Sequence, residues 1–468
     1  MTFTQQSPRS TDPAPSVTDP LADLGPLLDG TVLRPGDEGY TESAAPWNRS
    51  VEQRPVAVVL ASTAQDVVRT VRFAGARGLR VSAQPSGHGA TTALEDAVLL
   101  RTGALDDIWI DAQSRVARVG AGVTWGALMT ALDGTGLVGL AGSSPVVSVV
   151  GYCLGGGLSW FSRRFGTGAA SLRAVELVDP QGVHRWVTED RDPELMWALR
   201  GGGGEFGIVT AVEIDLFPAP RIVGGRLAFP AEDARDVLRA FREVTSVAPE
   251  TLSLWASVTH FPPLPLLPEE IRGRSFCFVD AVHLGGPDEL NALLAPIRAA
   301  GTAVLRDTVR PLLPSELGTV CEEPEEPSAA AHTAMAVTAI DDELLDRVLG
   351  LAGPGVATPL FQVLVRHLGG ALRAPTAGAG GPIAAPYLVT ALAMLPDPAL
   401  VEPVGAAMAQ LREILRPWAA GPTTLSMLGA GEDAADAFDA ETLARLRRLK
   451  GDVDPGGLIR GNHPFARG

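Results

Sequence analysis

The sequence is poor in cysteine and in long apolar runs. Its three cysteines, Cys153, Cys277 and Cys321, are an odd number, lie far apart and form no Cys-x-x-Cys pair. This disfavours both a disulfide framework and a zinc site. No apolar run reaches the about eighteen residues that a membrane-spanning helix needs, and residues 1–20 contain no apolar signal-peptide core. These absences predict a cytoplasmic protein that binds no metal and contacts no membrane.

Basic side chains are also scarce, since 38 arginine and lysine residues stand against 54 aspartate and glutamate residues, a net charge of −16. This balance disfavours nucleic acid and anionic membranes as partners. An anionic cofactor would have to be held by backbone N–H groups and local dipoles more than by a basic surface. The 46% hydrophobic and 20% charged content is typical of a globular protein.

Glycine, by contrast, is concentrated in three segments that stand beside predicted strands. The first, residues 85–89, reads PSGHG and ends a predicted β-α-β unit that begins near residue 54. The second, residues 141–166, reads AGSSPVVSVVGYCLGGGLSWFSRRFG, and the third, residues 200–210, reads RGGGGEFGIVT. Glycine runs are unfavourable in a packed core, so they indicate backbone that closely approaches a phosphate or a planar ring.

The periodicity of the apolar residues, and the points where it is interrupted, divide the chain into four parts. We predict a disordered tail over residues 1–20, a first domain over 21–220, a second domain over 221–417 and a C-terminal segment over 418–468. In the second domain long strands alternate with amphipathic helices, which predicts a broad sheet with helices on one face. The last part is predicted to contain a strand over residues 423–428 and a basic helix over residues 441–450.

Taken together, the three glycine segments resemble, in order and spacing, the FAD-binding domain of the vanillyl-alcohol-oxidase superfamily. The ending LRRLKGDVDPGGLIRGNHPF resembles that of the berberine-bridge-enzyme-like oxidases, above all bacterial members of natural-product pathways. The resemblance is close over residues 54–217. The middle of the chain matches mainly in its arrangement of strands and helices. It implies an α+β fold: a PCMH-type, two-subdomain FAD-binding domain, an α+β substrate domain with a large antiparallel sheet, and a C-terminal segment that returns to the FAD domain.

The resemblance implies that FAD is bound covalently. His88 stands where the family joins a histidine nitrogen to the 8α-methyl group of FAD; the alternative is an ordinary loop histidine. Ser144 stands where many relatives carry a cysteine bonded to flavin C6, and because a hydroxyl cannot form that thioether, a single covalent link is predicted. Position in the motifs implies further FAD contacts from Ser86, Gly87, Gly89, Ser143, Val147, Gly151, Gly156, Gly157, Ile208 and Asn462.

Three positions depart from the family or bear on its oxygen chemistry. Val147 matches a valine that leaves room for oxygen in related oxidases, where dehydrogenases often carry a bulkier leucine. Ser148 replaces a usual glycine. Glu205 replaces a usual asparagine, and its carboxylate either alters the flavin potential or points to solvent. Cys153 is expected to be a small buried hydrophobe.

The general base is the least defined part of the site. The family uses a tyrosine or a glutamate of the substrate domain, and the usual Tyr-x-Asn tyrosine is replaced here, where residues 424–426 read TLS. Strand alternation places Val363, Val365 and His367 on one face, and Gln362, Leu364 and Arg366 on the other. We predict Tyr387 as the base and His367 as the second candidate, with a structural role for His367 as the alternative.

The function implied by the resemblance is that of an FAD-dependent oxidase. Hydride would pass from a small-molecule secondary-metabolite intermediate to flavin N5, and O2 would reoxidise the flavin and give H2O2. The missing tyrosine leaves open a flavin-containing cyclase, isomerase or lyase without net redox turnover. A non-catalytic flavin carrier and a dehydrogenase with another acceptor are further alternatives.

Overall fold

The computed structural model describes residues 21–91, 94–265 and 267–465; the predicted tail over residues 1–20 lies outside them. The strands are β1 (Thr31–Leu33), β2 (Ala57–Leu60), β3 (Arg80–Ala83), β4 (Ala97–Arg101), β5 (Ile108–Asp111), β6 (Val116–Gly120), β7 (Leu137–Val138), β8 (Leu172–Val178), β9 (His184–Thr188), β10 (Ile208–Asp215), β11 (Phe217–Pro218), β12 (Ile222–Pro230), β13 (Leu252–His260), β14 (Ser275–His283), β15 (Arg306–Asp307), β16 (Arg310–Leu312), β17 (Ala330–Val337), β18 (Gln362–His367) and β19 (Tyr387–Met394).

The helices are α1 (Tyr40–Ala44), α2 (Ala64–Gly75), α3 (Trp125–Ala131), α4 (Val149–Leu154), α5 (Ser162–Phe165), α6 (Pro193–Leu199), α7 (Ala234–Val247), α8 (Pro287–Arg298), α9 (Asp342–Ala352), α10 (Val401–Leu415) and α11 (Ala440–Val453). Within the described ranges, none of them is long and apolar enough to span a membrane. The mixture of parallel and antiparallel sheets with helices confirms the predicted α+β class.

The first sheet has the order β1-β2-β4-β3, in which β2, β4 and β3 run parallel. Helix α2 starts at a capping box, where the Thr63 hydroxyl accepts a hydrogen bond from the backbone of Asp66 and the Asp66 carboxylate accepts one in return. The loop over residues 85–89 follows β3, so it lies beyond the carboxyl ends of the parallel strands. Ligands of such sheets bind at this edge.

A second sheet, antiparallel throughout, has the order β5-β6-β10-β8-β9. Its β8–β9 hairpin turns over residues 179–182, where the Asp179 carboxylate accepts hydrogen bonds from two backbone N–H groups of the turn. Helix α4 begins at Ser148, whose hydroxyl accepts a hydrogen bond from the Gly151 N–H. The serine that replaces the family's glycine is therefore an N-cap.

The largest sheet has eight antiparallel strands in the order β15-β12-β14-β13-β18-β19-β17, with β16 also paired to β12. Helices α7, α8, α9 and α10 pack on one face, where they form an apolar core with alternate residues of the strands. This confirms the predicted broad sheet with helices on one face. The opposite face turns toward the first two sheets, and we refer to the two as the covered face and the cavity face.

The C-terminal residues differ in part from expectation. Residues 423–428 do not form the predicted strand; Leu425–Met427 are a single 3-10 turn, anchored where the Ser426 N–H donates to the Gly155 carbonyl. Further on, Ile459 pairs with Val81 of β3 as an isolated parallel bridge. The domain boundaries themselves stay a prediction.

Candidate functional site

A cavity of about 1620 Å³ lies between the cavity face of the large sheet and the elements that carry the glycine segments. This volume exceeds the roughly 300–1,000 Å³ of a site for one drug-sized ligand, so it has room for a large cofactor and a substrate together. Ten of the twelve predicted cofactor residues line it: Ser86, Gly87, His88, Gly89, Ser143, Ser144, Val147, Gly151, Ile208 and Asn462.

The other two, Gly156 and Gly157, do not line the cavity, and their predicted cofactor role is corrected. Both have positive φ, 103° and 70°. A Cβ on Gly156 would lie 2.8 Å from the Thr424 side chain, and one on Gly157 would lie 2.3 Å from the ring of Tyr152. These glycines are required because the chain turns tightly and packs against two other segments, not because a ligand approaches them.

His88 lies on the cavity wall, where its ring stacks on that of Trp47 with centroids 3.8 Å apart. Its Nδ1 is buried and has no hydrogen-bond partner in the described chain. Burial, with a smaller effect from His332, lowers the pKa of His88 to about 4. The imidazole is therefore neutral at pH 7, and a neutral imidazole has the free nitrogen lone pair that bond formation to carbon requires.

The segment before α4 is fixed by backbone hydrogen bonds to α3. The carbonyl of Val147 accepts from the Trp125 N–H at 2.9 Å, which holds the valine at the cavity wall. Nearby, the Ser144 hydroxyl is buried without a partner. Cys153 is fully buried, as predicted, and burial raises its pKa to about 12.

Glu205 is buried and does not point to solvent. Its carboxylate accepts a hydrogen bond of 2.5 Å from the Gly461 N–H and lies 3.6 Å from the ammonium group of Lys450, the only lysine of the sequence. Burial outweighs these contacts and raises the pKa of Glu205. The carboxylate thus ties the C-terminal segment, including Asn462, to the third glycine segment.

Tyr387 and His367 do not line the cavity, so their predicted role as general base is corrected. Both lie on the covered face, His367 directly opposite Tyr387 in the β18–β19 register. The Tyr387 hydroxyl lies 2.8 Å from that of Thr245 on α7. Burial, with contributions from two neighbouring arginines, lowers the pKa of His367 to about 3. The alternation was predicted correctly, but the chemistry was assigned to the wrong face.

The cavity face carries polar residues that sequence reasoning did not select. Three charged residues and one tryptophan face one another across neighbouring strands and form what we term the charged row: Arg226, Asp280, Trp255 and Arg366. A further row contains Gln362 and His332. The signal that could have identified part of this set was the strand alternation itself, which placed Gln362 and Arg366 together.

The lining fits a large polar ligand such as FAD. Several buried polar atoms at the cavity wall have no partner in the described chain: Gln84 Oε1, His88 Nδ1, Thr102 Oγ1, Ser144 Oγ and Tyr152 OH. Buried groups of this kind are rarely left unpaired. Their convergence on one cavity indicates that a ligand supplies the missing partners.

Comparison with known proteins agrees with this interpretation. The family described as FAD binding domain matches residues 55–188. (R)-6-hydroxynicotine oxidase of Paenarthrobacter nicotinovorans is 32% identical over 196 residues, which are 42% of this chain and 43% of that protein. The FAD-linked oxidoreductase YvdP of Bacillus subtilis is 26% identical over 305 residues, 64% of this chain and 65% of that protein. The matches thus span less than two thirds of these relatives.

Solved structures match over nearly the whole chain. BBE-like 1 of Physcomitrella patens has a TM-score of 0.82 at 18% identity, with 95% of this chain and 99% of that chain covered. For 6-hydroxy-D-nicotine oxidase of Arthrobacter nicotinovorans the TM-score is 0.77 at 23% identity, with 94% and 98% covered. The grass pollen protein Phl p 4, a glucose dehydrogenase, has a TM-score of 0.75 at 17% identity, with 93% and 96% covered. Residues 55–188 therefore form a FAD-binding domain, within a chain that has the fold of berberine-bridge-enzyme-like flavoproteins and is homologous to FAD-linked oxidoreductases.

Proposed function

We propose that this protein is an FAD-dependent oxidase of a small-molecule secondary-metabolite intermediate. The observation that carries the proposal is that ten predicted cofactor residues and a polar sheet face line one cavity with room for cofactor and substrate. Relatives named as FAD-linked oxidoreductases and as an oxidase support the reaction class. Bound FAD would supply the acceptor for a hydride, at N5, and would return the two electrons to O2 as H2O2.

The residues that would hold the cofactor are those of the three glycine segments together with Asn462. His88 would form the single covalent link from a ring nitrogen to the 8α-methyl carbon, and its neutral imidazole suits that role. Ser144 can donate or accept a hydrogen bond but cannot form a thioether. Asn462 accepts a hydrogen bond from the Gln84 amide at 3.3 Å, which fixes its orientation in the cavity.

Val147 is proposed to admit oxygen to the cavity. Its position is fixed by the backbone hydrogen bond to Trp125, and its side chain has one methylene group fewer than that of isoleucine. Phl p 4 is a glucose dehydrogenase, and an isoleucine-to-valine variant of it is a glucose oxidase. These two forms of Phl p 4 illustrate how small a change in side-chain volume can accompany a gain of oxygen reactivity. The comparison favours oxidase activity over dehydrogenase activity for this protein.

His332 on β17 is proposed as the group that takes the substrate proton. It lines the cavity, and a neutral imidazole has one unprotonated ring nitrogen that can accept a proton. Burial lowers the pKa of His332, so the ring is neutral at pH 7 and ready to accept a proton. His260 is less suitable because both of its ring nitrogens already have partners, Ser275 and the Ala352 carbonyl.

The test is to denature the purified protein with acid and to ask whether flavin stays with the precipitate. Wild type is expected to retain it, and His88→Ala is expected to release it. His463→Ala is the matched control, because His463 lines the same cavity and burial likewise lowers its pKa to about 4. Release from wild type would overturn the covalent link, and a protein purified without any flavin would overturn the proposed function.

Anaerobic addition of substrate then separates the oxidase from its alternatives. An oxidase loses its flavin absorption without oxygen and recovers it, with H2O2, when air is admitted. A cyclase, isomerase or lyase without net redox turnover forms product while the flavin stays yellow. A dehydrogenase loses the absorption but recovers it slowly in air.

A further inference from the structure

The charged row on the cavity face has an excess of one positive charge. Arg226 and Asp280 form a buried bidentate ion pair, with N–O distances of 2.6 and 3.0 Å. Asp280 also accepts from the Cys321 thiol at 3.4 Å, so its oxygens are occupied. Arg366 is the second arginine of the row, and it is separated from Asp280 by Trp255.

Arg366 differs from the other arginines of the cavity wall because it has no carboxylate partner among the described residues. Arg226 pairs with Asp280, and Arg460 pairs with Asp96 at 2.9 Å. The hydrogen bond found for the Arg366 guanidinium goes to the sulfur of Met427, a weak acceptor, at 3.2 Å, and its Nε is buried without a partner. Burial lowers the pKa of Arg366, which reflects the cost of an unpaired cation.

The guanidinium is nevertheless held in place. Its central carbon lies 4.4 Å above the ring of Trp255, a cation–π contact. Trp255 in turn stacks on the buried ring of Trp160, with centroids 3.8 Å apart and planes 17° from parallel. A planar cation on a rigid aromatic support loses little further freedom when an anion binds to its free N–H groups.

We propose that Arg366 binds an anionic group of the substrate, and that the substrate is a carboxylate. The fork of a guanidinium matches a carboxylate in a bidentate arrangement. The other carboxylates at the wall form no ion pair with it: Glu205 contacts Lys450, Glu322 pairs with Arg306 at 2.6 Å, and Glu323 acts on it only through its charge at longer range. This inference rests on the proposed function, because it assigns the substrate of the same cavity.

The experiment is a calorimetric titration of the purified, flavin-containing protein with benzoate and with indole-3-acetate, each beside its uncharged primary amide. In wild type at pH 7 a carboxylate is expected to bind about tenfold or more tightly than its amide. Arg366→Gln should remove this preference while amide binding stays the same, and Arg366→Lys should restore part of it. Arg460→Gln, which removes a paired cavity arginine, should keep the preference.

A second readout decides whether the cation serves the substrate or the cofactor. The affinity of the flavin for sulfite is measured in wild type and in Arg366→Gln, since a cation beside the flavin ring would favour that anionic adduct. Unchanged sulfite affinity with a lost carboxylate preference supports the proposal. Weaker sulfite affinity with an unchanged carboxylate preference overturns it and assigns Arg366 to the cofactor.

Two other results also overturn the proposal. One is a wild type that binds neither carboxylate more tightly than its amide, and the other is an Arg366→Gln variant that keeps the preference. Failure of the proposed oxidase function gives a different result, namely a bound flavin that substrate does not reduce. Calorimetry still measures the carboxylate preference in that case. Thermal unfolding of each variant shows that a lost preference does not arise from misfolding.

Discussion

The two faces of the eight-stranded sheet are built from the same strands but have opposite chemistry. On the covered face, Val363, Val365 and Val389 pack against helices α7 to α10. On the cavity face, Arg366 and Gln362 stand on the neighbouring positions of the same strand β18. Successive residues of a strand point to opposite sides, so a step of one residue separates the core from the site.

The difference teaches what kind of unpaired polar group each face holds. On the covered face the Tyr387 hydroxyl is paired with that of Thr245, and the unpaired Nδ1 of His367 belongs to a ring that burial keeps uncharged. On the cavity face the unpaired atom, Arg366 Nε, belongs to a cation. An unpaired buried group lowers stability, so its presence at the cavity is consistent with a ligand that completes it.

The largest effect is expected when a charge is placed on the covered face. Val389→Asp buries an unpaired carboxylate and is expected to lower the free energy of unfolding by about 4 kcal/mol or more. Thr390→Asp, one residue further and facing the cavity, is expected to cost about 1 kcal/mol or less. Urea unfolding of both variants measures the difference, and equal losses would contradict the assignment of the faces.

The next effect compares two histidines of this sheet that lie on opposite faces, His332 and His367. His332→Gln is expected to slow anaerobic flavin reduction by saturating substrate about 100-fold or more, because it removes the proton acceptor. His367→Gln should leave that rate unchanged, since His367 does not reach the cavity. Stopped-flow absorbance gives both rates. A slow His367 variant beside a normal His332 variant would reverse our assignment.

A third effect is the pH dependence that His367 gives to stability. Its pKa is about 3 in the folded protein and about 6.5 when unfolded, so the unfolded state binds more protons between these values. The contribution of His367 to the free energy of unfolding is therefore complete above pH 6.5. It decreases as the pH falls below that value, by up to about 1.4 kcal/mol per pH unit.

The matching variant is His367→Gln, which lacks the titrating group. Its free energy of unfolding should fall less steeply between pH 6 and pH 4.5 than that of wild type, by up to about 1.4 kcal/mol per pH unit. Urea unfolding at several pH values measures both slopes. Parallel slopes would show that His367 is not buried as an uncharged ring.

The smallest effect concerns the hydroxyl of Tyr387. Thr245 donates its own proton to the Arg242 carbonyl at 3.0 Å, so Tyr387 is the donor in the pair of hydroxyls. Tyr387→Phe is expected to lower the free energy of unfolding by about 1 kcal/mol and to leave flavin reduction unchanged. In a Thr245→Val background the same change should cost less. A large loss of activity would reinstate Tyr387 as a candidate base.

Much of the cofactor site was predictable from local sequence. The segments around His88, Val147 and Ile208 are marked by glycines and flanking strands, and their resemblance to a known family placed them at one site. The same reasoning failed for Gly156 and Gly157, which pack against Thr424 and Tyr152. A glycine that admits a ligand and a glycine that admits another part of the chain look alike in sequence.

The sequence by itself therefore determined most of the helices and strands, the alternation along each strand and the segments that line the cavity. These depend on neighbouring residues, on a period of two in strands and on glycine conformation. Only the tertiary structure decided which face of the sheet meets the cavity. That choice depends on where α7 to α10 pack, and helix packing joins residues far apart in the chain. It placed Tyr387 and His367 in the core, and His332 and Arg366 in the site.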